Sequence, residues 1–327
     1  MRRPRLVISE SDAFSSDALE RLRSVLQVEV LDLDRPAFLA AIQSAEILWV
    51  RLRNQVDRQA LDAATRLRII VTNTTGLNHI DLDETTRRGI EVLSLRGEAE
   101  FLKDIRATAE HTIGLMLALL RSIPAATQHV TDGSWDRYRF KGTELAGKLV
   151  AVIGYGRLGR NVAHYLLAFG AQVLAVDPFV VPASLEPGIA ASGLLEALES
   201  ADIVTLHVGL GPATTRFFGR DQFNAMKRGA RFVNTARGEL IDEAALLDAL
   251  TSGRLAGAAL DVLSDENANG MGSHPLVQHA RSHHNLLITP HLGGCTDESL
   301  AKTEIFMAAK LLTSSALAML MAGEVSH

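Results

Sequence analysis

Short apolar runs separated by amphipathic stretches fill the first hundred residues. Runs at 6–9, 28–31, 47–50, 67–72 and 90–93 are short and mostly aliphatic, the pattern of strands buried on both faces. Between them, 16–26, 35–41 and 58–64 place apolar residues at helical spacing. Alternating strands and helices predict a parallel sheet covered by helices, a doubly wound unit of α/β class.

The stretch 108–121 is apolar on nearly every face and ends just before Pro124, which predicts a long buried helix, placed here between two domains. A polar, Gly-containing stretch follows at 131–142. A second alternation starts at Lys148. Strands are predicted at 149–154, 172–177, 202–207, 231–234, 257–261 and 285–289, with helices at 159–169, 193–199, 220–226 and 243–252. Six strands with intervening helices match a complete Rossmann-type dinucleotide-binding domain. After Pro290 the pattern is helical over 296–321. No short repeat or low-complexity tract interrupts it.

Composition narrows the picture. A chain of 327 residues suggests two domains at roughly 150 residues each. Apolar residues at 47% and charged residues at 22% are a globular balance. A net charge of −5 argues against general nucleic-acid or anionic-membrane binding. The single cysteine, Cys295, rules out an internal disulfide and a cysteine-based metal site, and it fits a reducing, cytoplasmic setting. No metal site is apparent. The longest apolar stretch, 113–120, is far shorter than the ~20 residues that span a bilayer. Met1-Arg2-Arg3-Pro4-Arg5 runs into a strand with no signal-peptide pattern, so a soluble, unexported protein is expected.

Gly154-Tyr155-Gly156-Arg157-Leu158-Gly159 reads G-x-G-x-x-G. It follows an apolar strand and opens a helix, and Asp177 ends the next strand 18 positions beyond Gly159. These are the conditions that make the hexapeptide a dinucleotide site. Gly154 permits the tight turn, Gly156 lets backbone approach a pyrophosphate, and Gly159 lets helix pack on strand. The phosphates rest on the helix N-terminus, where free N–H groups and the helix dipole favour anions. Asp177 would accept from the adenosine ribose hydroxyls. Its charge repels a 2′-phosphate, and neither Pro178 nor Phe179 supplies a cation, which favours NAD over NADP.

Three later segments, 233–239, 259–266 and 289–294, hold polar residues where an α/β sheet places its site, at the C-terminal ends of strands. With VIGYGRLG, NTARGELIDEAAL, GAALDV and TPHLGG in this order, the chain resembles the D-isomer-specific 2-hydroxyacid dehydrogenases, in their 3-phosphoglycerate dehydrogenase-like branch. The resemblance extends to 76–81 and 109–114 in the first half. It implies a discontinuous, flavodoxin-like substrate domain (1–104 plus 291–327), a Rossmann NAD-binding domain (105–290), a cleft at the two crossovers and a homodimer through the cofactor domain and the 108–121 region.

By that resemblance Arg237 is the catalytic arginine, Glu266 the acid and His291 the general acid/base. The chemistry suits these residue types. A guanidinium fork binds a carboxylate bidentately and stays charged. His titrates near neutral pH and can protonate a developing alkoxide. A carboxylate on the other imidazole nitrogen fixes the tautomer. This family commonly has Pro after the acid where Asn267 stands here, so Asp265 is the fallback. The resemblance also implies cofactor contacts from Asp261, from His207 and Val208 with Thr214 nearby, from Thr235 and Ala236, and from Gly294; Thr108, at the start of the interdomain helix, would reach the nicotinamide side.

On the substrate side, the loop with Thr75 and Gly76 is implied to hold the substrate carboxylate through backbone N–H groups. Arg51 matches an arginine that pairs with a substrate phosphate, with Arg53 close by. Residues 95–107 look about five residues longer than the family's linker, and Arg96, Lys103 and Arg106 would add positive charge. Several cations suit a phosphorylated or phosphonylated hydroxy acid such as 3-phosphoglycerate. An unphosphorylated acid or small anion, and an NAD-sensing corepressor-like role, are the alternatives. The chain stops soon after its last helix, so no regulatory domain, and no feedback through one, is expected.

Overall fold

The computed structural model describes residues 3–264, 266 and 270–323. The chain forms two compact units, Met1–Ile105 with Thr296–His327, and Arg106–Cys295. The first unit begins β1 (Arg5–Ile8), α1 (Ser16–Val25), β2 (Gln27–Val30), α2 (Arg35–Ala41), β3 (Ile47–Trp49), α3 (Arg58–Ala63), β4 (Ile69–Val71), α4 (Leu82–Arg87), β5 (Glu91–Leu93) and α5 (Ala99–Leu102). Its sheet is parallel, in the order β2-β1-β3-β4-β5, the flavodoxin-like arrangement. Alternate strand residues feed opposite faces. Leu6, Ile8, Ile47 and Trp49 enter one apolar cluster, Val7, Leu48 and Val50 the other. Side-chain oxygens of Ser15, Asp34, Asp57 and Asp81 cap α1 to α4 by accepting from backbone N–H groups of the first turn.

The second unit comprises α6 (Ala107–Arg121), α7 (Ile123–Thr131), β6 (Leu149–Ile153), α8 (Arg157–Ala168), β7 (Gln172–Val176), β8 (Ile189–Ala191), α9 (Leu194–Ser200), β9 (Ile203–Leu206), α10 (Arg220–Ala225), β10 (Arg231–Asn234), α11 (Glu243–Thr251), β11 (Gly257–Leu260), α12 (Pro275–Ser282) and β12 (Leu286–Ile288). All strands are parallel, ordered β12-β11-β10-β9-β6-β7-β8. The sheet therefore has seven strands where the pattern predicted six. The added β8 is a half-exposed edge strand with only Ile189 partly covered, too short to announce itself. The long apolar helix is α6. It is part of this unit: Ala109, Ile113, Met116 and Leu120 pack with Val150, Val152 and α8 residues such as Val162 and Leu166.

The chain then returns to the first unit as α13 (Asp297–Leu312) and α14 (Ser315–Ala322). The single helix expected over 296–321 is thus broken, because Ser314 takes an extended conformation and caps α14 through Leu317 N–H. Met307, Ala308, Leu311 and Leu317 are buried with Leu6, Ile8 and Trp49. Among the described residues no single helix is long and apolar enough to cross a membrane. The 95–107 segment folds as α5 and its flanks. Phe101 stacks on Phe306 at 4.0 Å between ring centroids, and Lys310 donates to Ser94 O at 2.9 Å and to Glu98 at 2.6 Å. Lys103 pairs with Glu100, two residues inside the same segment, rather than adding a free charge.

The second division falls after Cys295, five residues beyond the boundary read from the sequence. Hydrogen bonding explains the shift: His291 N–H donates to Asp261 O, and Leu292 and Gly293 N–H donate to the Asp261 carboxylate. Residues 291–295 are tied to the end of β11.

Candidate active site

The dinucleotide turn leaves β6 at Gly154 and enters α8 at Arg157. A Cβ at Gly159 would lie 2.0 Å from Gly154 O, and one at Gly154 2.7 Å from the His207 carbonyl, so neither position admits a side chain. Gly156 differs: nothing lies within 4 Å of where its Cβ would point. It caps α8 without a side-chain acceptor. The helix N-terminus thus opens onto clear space at Gly156, where a pyrophosphate fits. Asp177, just past β7, accepts from Tyr155 N–H at 2.8 Å and Phe179 N–H at 2.9 Å, which fixes its carboxylate beside the turn. Tyr155 is buried, with the Arg160 guanidinium over its ring. Burial holds the Arg157 guanidinium below its ordinary range. Pro178 is exposed beside Asp177. These residues fit an adenine dinucleotide.

His207 and Val208 follow β9. The His207 ring bonds Thr205 Oγ1 at 3.0 Å, and burial lowers its pKa to about 4, so it is neutral. Thr214 folds its own loop: its hydroxyl donates to Gly209 O at 2.8 Å and accepts from Gly211 N–H at 2.9 Å. Thr235 is buried and bonds Thr112 Oγ1 at 2.8 Å, while Thr112 donates to Thr108 O at 2.7 Å.

Arg237 follows β10 in extended conformation. Asn234 shapes this corner, donating to Arg237 O at 2.8 Å and accepting from Ala236 N–H at 3.0 Å. The Arg237 side chain donates to Ala236 O at 2.6 Å and is half-buried. Burial lowers its pKa, and the charges of Glu266 and Glu239 oppose that shift. A guanidinium with carboxylates near it remains a cation.

His291 Nδ1 donates to Glu266 Oε1 at 2.6 Å, with both side chains about a fifth to a quarter exposed (20% and 25%). The structure thus places Glu266 on the His291 ring. The fallback Asp265, like Asn267, lies outside the described residues. His291 sits at φ +56°, left-handed backbone that an L side chain rarely adopts.

Asp261 makes that conformation hold. It is 1% exposed and sits at the end of β11. Its Oδ1 accepts from Leu292 N–H at 2.8 Å and from Thr289 Oγ1 at 2.6 Å, and its Oδ2 accepts from Gly293 N–H at 2.8 Å. His111 Nε2 lies 3.1 Å from the same Oδ1 and 3.0 Å from Thr289 Oγ1. The same carboxylate shapes the turn that carries His291. A Cβ at Gly293 would lie 3.0 Å from Asp261 Oδ2 and 3.1 Å from Thr108 Cγ2, so a side chain there would crowd both, whereas Gly294 is exposed.

Sequence reasoning gave His111 and Glu243 no role. The signal for His111 is its spacing, since Thr108, His111 and Thr112 lie on one face of α6 at i, i+3 and i+4. Glu243 accepts from Ser264 N–H at 2.7 Å and bonds His274 Nε2 at 3.1 Å, anchoring the chain next to Glu266.

In the first unit, Thr75 is exposed on the loop after β4, and Gly76 O accepts from Thr74 Oγ1 at 2.8 Å. Arg51 forms an ion pair with the buried Glu304 and donates to Asp12 O at 2.9 Å. Arg53 pairs with Asp32. The two arginines read as substrate cations are each matched by a carboxylate.

A seven-stranded parallel sheet with this turn and an arginine, acid and histidine beyond its strand ends defines a dinucleotide-binding unit. Residues 113–293 match the family described as D-isomer specific 2-hydroxyacid dehydrogenase, NAD binding domain, and the chain belongs to that family. Its cofactor is NAD. The chain is 37% identical over 295 residues to the D-3-phosphoglycerate dehydrogenase of Mycobacterium tuberculosis, covering 90% of this chain and 54% of that protein. It spans about half the length of the curated relatives it matches (54%). The structure is similar to D-lactate dehydrogenase from Aquifex aeolicus complexed with NAD and lactic acid (TM-score 0.81, 27% identity, 97% and 98% of the two chains). It is also similar to the TT0316 protein from Thermus thermophilus (TM-score 0.80, 33% identity, 96% and 97% of the two chains).

Proposed function

We propose that this protein is an NAD-dependent oxidoreductase interconverting a D-2-hydroxy acid and its 2-oxo acid. The observation that carries the reading is the Glu266–His291 pair at 2.6 Å, with Arg237 feeling the Glu266 charge. NAD, when bound, supplies or accepts the hydride. Arg237 binds the substrate carboxylate and polarises the neighbouring carbonyl. Glu266 occupies His291 Nδ1, which leaves Nε2 to give a proton to the carbonyl oxygen in reduction and take it back in oxidation. Glu266 also stabilises the imidazolium. Gly154–Gly159 and Asp177 hold the dinucleotide. Thr235, Ala236, His207, Val208, Thr214, Thr108 and Gly294 line it, and Thr75, Gly76 and Arg51 serve the substrate.

The name of the curated relatives supports a phosphorylated substrate such as 3-phosphoglycerate. The lactate dehydrogenase likeness, together with the pairing of Arg51, favours an unphosphorylated acid as the second reading. The test is NADH oxidation over 3-phosphohydroxypyruvate, hydroxypyruvate, glyoxylate, pyruvate and phosphonopyruvate, with Arg237→Ala as control. Turnover abolished by Arg237→Ala is expected. NADH binding without turnover of any oxo acid would overturn the reading and favour a cofactor-sensing role.

A homodimer is part of the same proposal. No residue of α7 is buried, and Ile123, Val130, Trp135 and Tyr138 expose 49%, 48%, 88% and 79% of their surface. So much apolar surface in one segment suits a second copy of the chain. Light scattering of the wild type against Trp135→Asp checks it. A cytoplasmic location agrees with one free, exposed cysteine, Cys295, and cell fractionation tests it.

A further inference from the structure

Glu243 opens α11, but the cap of that helix is Asp242, whose side chain accepts from Ala245 N–H at 3.0 Å. The Glu243 carboxylate turns instead to two donors that lie on either side of Glu266 in the chain. Its Oε1 accepts from Ser264 N–H at 2.7 Å, two positions before Glu266. Its Oε2 accepts from His274 Nε2–H at 3.1 Å, eight positions after Glu266. One carboxylate thus bridges the chain across the residue that holds the His291 ring. All of these groups belong to the second unit.

Both contacts are shielded and well defined. The Glu243 and His274 side chains are 17% and 18% exposed. The second bond of His274 sets its tautomer. Nδ1 accepts from Leu276 N–H at 3.3 Å and starts α12, so the ring proton stands on Nε2 and faces Glu243. At the other contact, a Cβ at Gly238 would lie 2.0 Å from Leu263 C and 2.2 Å from Ser264 N. The Leu263–Ser264 peptide therefore runs directly against the residue after Arg237. Ser264 is held from two sides, by the bare backbone of Gly238 and by the Glu243 carboxylate. The chain sets out towards Glu266 from a fixed point beside the Arg237 corner.

We propose that Glu243 is a positioning residue: by holding the chain before and after Glu266 it keeps that carboxylate on His291 Nδ1. The proposal rests on the 2-oxo-acid reading above. Glu243 takes no acid–base part in the reaction and acts only through Glu266. A carboxylate displaced by about an ångström no longer orients the ring, which costs kcat and leaves cofactor affinity alone.

The experiment is a double-variant cycle on kcat for oxo-acid reduction, with Glu243→Gln, Glu266→Gln and the two together. Gln at 243 offers a single carbonyl oxygen, so one of the two donors loses its acceptor. Glu243→Gln is expected to lower kcat about tenfold where Glu266 is present and less than about twofold in the Glu266→Gln background, with KM for NADH within about twofold of wild type. A merely structural Glu243 would act independently of Glu266, so equal losses in the two backgrounds, a loss carried by KM, or no loss overturns the proposal. A second readout needs no turnover. The Nδ1 proton of His291, identified in the proton NMR spectrum by its absence from His291→Asn, is expected to move upfield in Glu243→Gln and Glu243→Ala, as it does in Glu266→Gln. Its wild-type position in both Glu243 variants overturns the proposal. His274→Ala removes one of the two donors while Glu243 stays in place. It is expected to move the same proton and to lower kcat about threefold, and it decides the question if the Glu243 variants do not fold. If the wild type reduces no oxo acid, the 2-oxo-acid reading fails while the proton signal still decides this one.

Discussion

Asp261 reaches past its own strand to hold Gly293, thirty-two residues on, with Oδ2 2.8 Å from the glycine N–H. The same carboxylate takes Leu292 N–H and the Thr289 hydroxyl, so the turn that carries His291 is shaped by one buried anion. Removing it leaves several donors unmatched. Asp261→Ala is expected to cost about 3 kcal/mol or more, and to abolish turnover in whatever fraction folds. Chemical denaturation beside NADH-oxidation assays checks both.

Glu266 acts on the ring of His291 and not on the backbone. Glu266→Gln keeps a hydrogen-bond acceptor but removes the charge that stabilises the imidazolium. A drop in kcat of about 10²-fold is expected, with NADH affinity and the unfolding midpoint near wild type. Stopped-flow reduction and calorimetric NADH binding separate the two.

Arg237→Lys tests whether the fork geometry matters. An ammonium cannot bind a carboxylate bidentately, so kcat/KM for any oxo acid is expected to fall by about 10²-fold or more. Recovery to within a few-fold of wild type would mean that charge alone serves at this position.

Asp177→Asn removes the charge that would face a 2′-phosphate in the proposed cofactor site while keeping an acceptor for Tyr155 or Phe179 N–H. The NADPH-to-NADH ratio of kcat/KM is expected to rise about tenfold, chiefly because the repulsion is gone. Steady-state kinetics with both cofactors measures it.

The pH dependence of stability follows from His207, whose pKa burial lowers to about 4. In the unfolded chain it takes up a proton below about pH 6.5, whereas in the folded unit it stays neutral until about pH 4. The unfolded state binds more protons in that window, so stability falls as pH drops through it. His207→Gln is expected to lose about 1–2 kcal/mol less than wild type between pH 7 and pH 4.5, the full shift being discounted because His207 as a whole is only half-buried. Urea titrations without cofactor at the two pH values decide it.

Both sheets and the dinucleotide turn were legible because they are local: aliphatic runs of strand length, and glycines whose spacing is set by backbone clashes. Arg237 and His291 were legible as polar residues just past strand ends. What escaped the sequence is long-range. Arg51 reads as an open cation until α13 brings Glu304, 253 positions later, onto its guanidinium. Asp261 gives no hint in the sequence that the turn after β12 folds back onto it. Short, half-exposed pieces were missed for a different reason: β8 and α7 bury too little to carry an apolar signature.

His291 is fastened twice, by its backbone to Asp261 and by its ring to Glu266, and the two fastenings share no atom. Loss of the imidazole therefore leaves the turn intact. A His291→Asn protein should be a native-like but silent vessel, able to soak up cofactor and candidate acid together and keep them unreacted long enough to be seen. The unknown substrate could then be found by what the inert protein retains from a mixture, without any prior guess at its name.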